Sequence, residues 1–193
     1  FVSVGLHSGR IRSDARGRLW AADLDRGFER WDGTRRTRFP RPCLHGLYGT
    51  SWRRDGTMWL ATDDGLFRTS TGDGAPRRVA SAPPSGWPHG WEESWIGPVL
   101  EDRRGRLWLG HEEEIWSCDA ESLAAGHPAT WRGDTLATCG GVTEMLELED
   151  GTLWAGTVNA GVFERRERGW QALGGNRQLG SLRVYGMAKS PAG

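Results

Sequence analysis

The sequence is short of several things that would narrow its function early. Its 193 residues hold only three cysteines, Cys43, Cys118 and Cys139. They are too few for a disulfide framework and lack the paired short spacing of a zinc site, though one Cys118–Cys139 bridge is left open. No apolar run approaches the roughly 20 residues of a transmembrane helix, so no membrane contact is expected of this segment. An excess of charge is missing too, since 25 lysines and arginines balance 25 aspartates and glutamates. A generic nucleic-acid binder needs a basic face to neutralise phosphates, so nucleic acid is not an expected partner. No segment carries a sustained apolar stripe of 3.6-residue period, which leaves almost no helix to expect.

What is abundant is glycine, with 29 residues, and tryptophan, with 12. Glycine at this level without a collagen period indicates many tight turns, and repeated tryptophans indicate a recurring large apolar plug. The two coincide in a repeat. Gly17-Arg-Leu-Trp20, Gly56-Thr-Met-Trp59, Gly105-Arg-Leu-Trp108 and Gly151-Thr-Leu-Trp154 share one pattern, with tryptophans 39, 49 and 46 residues apart. A four-stranded propeller blade takes roughly 40–50 residues.

Further columns agree at fixed offsets. Nine residues before the glycine stand Ser8, Leu47, Ile96, Val142 and, in a fifth copy, Val184; six before it stand Ile11, Thr50, Val99, Met145 and Met187. Aspartate precedes the glycine by three (Asp14, Asp102) or by one (Asp55, Asp150), which suits a turn. Small residues follow two after the tryptophan, and Phe28, Phe67, Trp116 and Phe163 follow eight or nine after it. The expected fold class is therefore all-β: a β-propeller of four-stranded antiparallel blades, one propeller segment over 1–193. Its repeats centre on Trp20, Trp59, Trp108 and Trp154, and the first strand of a fifth falls at 184–193. Gly193 would sit at the turn glycine of that fifth copy, so an incomplete part of a ring of about seven blades is expected, with a closed four-bladed ring as the lesser alternative. The four tryptophans, with Phe28, Phe67, Trp116 and Phe163, read as inter-blade core, because ligand residues rarely recur in every blade.

Function belongs to the parts that do not repeat. The longest connection, 81–94, breaks the tryptophan spacing and carries Trp87, His89, Trp91, Glu92 and Glu93. Aromatic rings beside hydrogen-bonding groups suit a saccharide or another flat amphipathic ligand; alternatively, the two tryptophans simply pin the loop. His111 joins this candidate binding set, on the same face. The acidic turns His111-Glu112-Glu113-Glu114 and Thr62-Asp63-Asp64, with Asp23 and Asn159, offer oxygen ligands for calcium but come from different blades at irregular positions, and read better as solvated turns. His45, His89 and His111 lack an aspartate or serine partner at a telling offset, so no catalytic residue, metal or cofactor is assigned. Arg103-Arg104 and Arg165-Arg166 read as solvated turn charges.

These columns resemble the two-component regulator propeller repeat, best over Val142 to Phe163, with Ile96 to Trp116 and Leu47 to Phe67 close behind. The first copy departs most, with Ala21-Ala22-Asp23 after its tryptophan, and the third has His111 where the repeat has threonine. The resemblance implies a non-enzymatic sensor: the periplasmic or extracellular input domain of a bacterial receptor whose output is a kinase, a cyclase or a transcription regulator. It also implies saccharide ligands, and as structural partners the remaining blades of the same propeller or another chain. Two rivals stand beside it. Propeller lyases that open cyclic peptide antibiotics have a similar glycine–tryptophan turn with a histidine and magnesium near the axis, for which His111 is the tolerable candidate. A protein-binding scaffold is the other.

Overall fold

The computed structural model describes residues 11–13, 17–23, 27–39, 47–52, 57–62, 64–69, 76–80, 96–136 and 139–189. They form four separate four-stranded antiparallel sheets, each a meander in chain order. The first contains β1 (Ile11–Ser13), β2 (Leu19–Asp23), β3 (Gly27–Trp31) and β4 (Arg36–Phe39), and the second β5 (Leu47–Trp52), β6 (Met58–Thr62), β7 (Gly65–Arg68) and β8 (Arg77–Ala80). The third contains β9 (Ile96–Glu101), β10 (Arg106–His111), β11 (Glu114–Asp119) and β12 (Arg132–Thr135). The fourth contains β13 (Val142–Glu147), β14 (Leu153–Thr157), β15 (Val162–Arg166) and β16 (Gly169–Ala172). The expected propeller blades are present.

In the two middle blades the second strand is apolar on both faces because it is packed on both. In β6, Met58 and Leu60 face the first blade's Trp20 and Phe39, while Trp59 and Ala61 face Val99, Leu107 and Leu109 of the third. In the same way Trp108 packs into the fourth blade against Val142, Met145, Leu153 and Ala155. Three cores thus join the blades one to the next. Among the described residues no fourth core joins the last blade to the first, so the four blades form an incomplete propeller.

The turn between first and second strands follows its sequence. Gly105 takes φ +78°, a left-handed conformation that glycine adopts without strain. Asp102 Oδ1 accepts the Arg104 and Arg106 amides, each at 2.9 Å, closing the turn.

Several expectations need correction. Trp20, Trp59 and Trp108 are buried, but Trp154 is only half-buried. Its ring lies on the side of β14 away from the third blade, where no described sheet covers it. Trp116 is also half-buried and belongs to none of the three cores; it packs under Gly133 of the outer strand and donates from Nε1 to Glu114 at 2.9 Å. Phe67 is buried, Phe163 packs partly buried on the third core, and the Phe28 side chain lies outside the described residues. Residues 184–189 form no strand. Even so, Val184 sits against Gly156 much as Val142 sits against Gly110, and its amide donates to Thr157 at 2.9 Å. A one-turn helix, α1 (Ala120–Ala124), capped by Asp119, interrupts the third blade, and a 3-10 turn covers Gly174–Gln178. Cys118 and Cys139 are not bridged. They sit in different cores, on opposite faces of the third blade.

Candidate functional site

The connection from β8 to β9 carries the candidate loop. Residues 81–95 lie outside the described residues, and Trp87, His89, Trp91 and Glu92 with them. Ile96, where the loop ends, is paired with His111 at the end of β10. The described chain therefore resumes at the blade end that holds the Glu112–Glu113 turn.

His111 itself is 1 % exposed. It occupies the column filled elsewhere by Thr62 and Thr157, whose hydroxyls donate to the carbonyls of Gly65 (3.0 Å) and Gly161 (2.8 Å) and fasten the next hairpin. This is a structural position beneath the face. The neighbouring polar groups are likewise engaged in joining blades. The Glu112 carbonyl accepts the Val142 amide at 2.9 Å, Glu113 Oε1 accepts the Gly140 amide at 3.2 Å, and the Asn159 amide donates to Cys139 at 3.0 Å. Among the described residues no three histidine, cysteine or acidic side chains converge as a metal site.

On the opposite face Arg103 and Arg165 are inter-blade clasps, while Arg104 and Arg166 are exposed turn charges as expected. Arg103 leaves the third blade and reaches Glu147 Oε1 with Nε at 2.9 Å, and donates to the carbonyls of Leu148 (2.5 Å) and Glu149. Arg165 returns the grip from the fourth blade, pairing with Asp134 at 3.5 Å and lying 5.9 Å from the Trp108 ring centroid. The indole N–H groups are also held: Trp59 donates to Glu101 of the next blade, and Trp108 to Asp102 Oδ2 at 2.8 Å. Arg30 over Trp20 and Arg68 over Trp59 add cation–π contacts at 5.5 and 5.4 Å.

Ionisation follows these contacts. Amides of residues 122 and 152 hold the Asp119 and Asp150 carboxyls below the usual aspartate range. Burial pushes the Cys118 thiol up to about 12 and raises Cys139 as well, so both are inert thiols.

The fold defines a β-propeller of four-stranded blades, and known structures resemble it. The extracellular domain of the hybrid two-component system BT4673 from B. thetaiotaomicron is 18% identical with a TM-score of 0.65, over 91% of this chain and 24% of that one. PorZ, a surface component of the type-IX secretion system of Porphyromonas gingivalis, is 15% identical with a TM-score of 0.68, over 95% and 30%. Virginiamycin B lyase from Staphylococcus aureus is 15% identical with a TM-score of 0.58, over 82% and 52%. The chain thus spans about a quarter of the receptor domain and about half of the lyase. At these identities the likeness is one of fold, the fold that the repeat columns implied. No protein-family model matches the chain, and no curated protein does. Among the described residues no helix is long and apolar enough to cross a membrane.

Proposed function

We propose that the chain is part of a ligand-binding sensor propeller, the periplasmic or extracellular input domain of a bacterial signalling receptor, and that it is not an enzyme. The observation that carries this reading is the fate of His111. A lyase of this fold needs an accessible histidine near the axis, whereas His111 is sealed in the column where threonines fasten hairpins. Four blades arranged as in the extracellular domain of a two-component receptor support the same reading. Binding is assigned to the one long unrepeated connection, with Trp87 and Trp91 stacking on a saccharide and His89 and Glu92 bonding its hydroxyls. The remaining blades of the propeller, or another chain, cover the exposed side of Trp154. A protein-binding scaffold is the second reading, supported by the likeness of fold to a surface component of a secretion system.

The test is a saccharide array followed by calorimetry. Replacing Trp87 and Trp91 together by alanine should leave the melting temperature within a few degrees. It should weaken binding by roughly 1–3 kcal/mol per lost stacking contact, the size known for bases on aromatic rings. No hit on the array, or a hit indifferent to both rings, removes the saccharide assignment. Melting as low as a core variant would make the two rings structural.

A further inference from the structure

A groove of about 750 Å³ runs between the third and fourth blades at the blade end that carries the Asp102–Arg106 and Asp150–Leu153 turns, away from the Glu112–Glu113 turn. This lies within the roughly 300–1,000 Å³ of small-molecule sites. We propose that it is a second binding site, for a neutral, hydroxyl-rich ligand of the carbohydrate class.

Charge balance excludes the simpler alternatives. Five arginines and six carboxylates line the groove, interleaved from the turns and outer strands of both blades. Their formal charges nearly cancel, so neither a polyanion nor a polycation gains from the summed field. Hydrogen-bonding capacity is left over in both senses. Arg104, Arg132 and Glu167 are exposed, and their side chains make no ion pair or hydrogen bond among the described residues. Asp119 and Asp150 each accept a backbone amide, at 2.7 and 2.9 Å, yet a carboxylate offers about four acceptor directions. The groove therefore presents guanidinium donors next to carboxylate acceptors. A hydroxyl both donates and accepts, so neighbouring hydroxyls on a sugar ring can bridge such a pair; a carboxylate ligand matches only one half of it.

Two features make the groove a site rather than a gap. Its two walls are held in place by the Arg103–Glu147 and Arg165–Asp134 pairs, so binding has to order only the exposed side chains and not the blades. A second hollow of about 220 Å³ beside α1 shares Arg106, Asp119 and Arg132 with it, which extends the path for an elongated oligomer. Trp108 lies at the base but is only 6 % exposed, so hydrogen bonds rather than ring stacking would hold the ligand here.

The experiment uses the 193-residue chain, with maltotetraose, cellotetraose and xylotetraose as neutral probes and tetragalacturonate as the charged one, followed by calorimetry. At least one neutral probe should bind, and Arg104→Gln with Arg132→Gln should weaken it about tenfold or more. Both side chains are exposed, so the melting temperature should hold and report an intact fold. Raising the salt should change this affinity less than about twofold, as for an uncharged ligand. The Trp87→Ala and Trp91→Ala pair should leave this binding alone, which separates failure of the groove from failure of the loop site. Binding by none of the neutral probes, tighter binding of tetragalacturonate, or indifference to the arginine changes would each overturn the proposal.

Discussion

Trp108 and Trp154 occupy one column of the repeat, yet their environments differ in a way that predicts different energetics. Trp108 is enclosed by the fourth blade, bonded through Nε1 to Asp102 and edge-on to Trp170, with ring centroids 5.9 Å apart. Trp108→Ala should cost roughly 3–5 kcal/mol, the range for deleting a large buried ring. Half-buried Trp154, whose Nε1 has no partner among the described residues, should cost less than half of that when truncated. Urea unfolding of both variants, at equal denaturant slope, measures the gap. Similar losses at the two sites would mean that something already covers Trp154. The thiols offer a separate check. Cys118, held near 12 by burial, should resist alkylation at pH 8 until the chain unfolds. Its folded-state value is raised, so the stability linked to its neutral form is complete below the ordinary thiol value of 9.0. That stability should fade as the pH climbs from there towards about 12. Alkylation at the native-state rate of a free thiol would contradict the packing at both ends of this argument.

Two glycines of the third blade show how elements are fitted to one another. On Gly97, in β9, a Cβ atom would lie 2.5 Å from the Val142 carbonyl oxygen and 3.2 Å from that of Gly110. These are backbone atoms of the neighbouring blade and of β10, which cannot step aside alone. Gly105, in the turn, has open space around it and only its positive φ to lose. Gly97→Ala should therefore cost about 1–3 kcal/mol or more through overpacking, and Gly105→Ala about 1 kcal/mol through strain. Thermal melts of the pair give the order, and a larger loss at Gly105 would refute the close approach of β9 to β13. The sequence made the paired inner strands legible because their columns recur at fixed offsets, so Leu107, Trp108 and Leu109 could be placed by comparison with three other copies. It did not reveal β12, whose Arg-Gly-Asp-Thr segment is polar and matches no column, nor α1, which is a single turn. The clasping role of Arg103 was also hidden, because its partner Glu147 lies 44 residues away on another blade. The groove had the same fault: its two walls come from turns that are remote in sequence, and each turn alone looks merely charged. Of the candidate binding set, only His111 falls among the described residues, and its burial follows from a threonine column that the alignment of copies already contained.

At the scale of the molecule, the sheet face that carries Trp154 governs behaviour in solution. In the inner blades such a face is covered by the next sheet, as Trp59 is by Val99 and Leu107. On the fourth blade, Leu146 and Trp154 lie opposite each other in the β13–β14 pairing, and both are half-buried. Beyond them, Leu179, Leu182 and Tyr185 are exposed, Tyr185 to 74 %. An apolar sheet face beside exposed apolar side chains favours association, since burying that area removes it from water at roughly 25 cal/mol per Å². The 193-residue chain should therefore associate as its concentration rises, or unfold with low cooperativity when dilute. Light scattering across a concentration series reads the first outcome and calorimetric melting the second. Charge placed on this face should oppose association, so Trp154→Glu and, independently, Leu146→Lys should both move the distribution towards monomer. The pair guards against one variant merely unfolding, because unfolding would increase aggregation rather than relieve it. A monomer that melts cooperatively at every concentration, and that neither charge alters, would show that this face needs no partner. It would favour the closed four-bladed ring over the incomplete one.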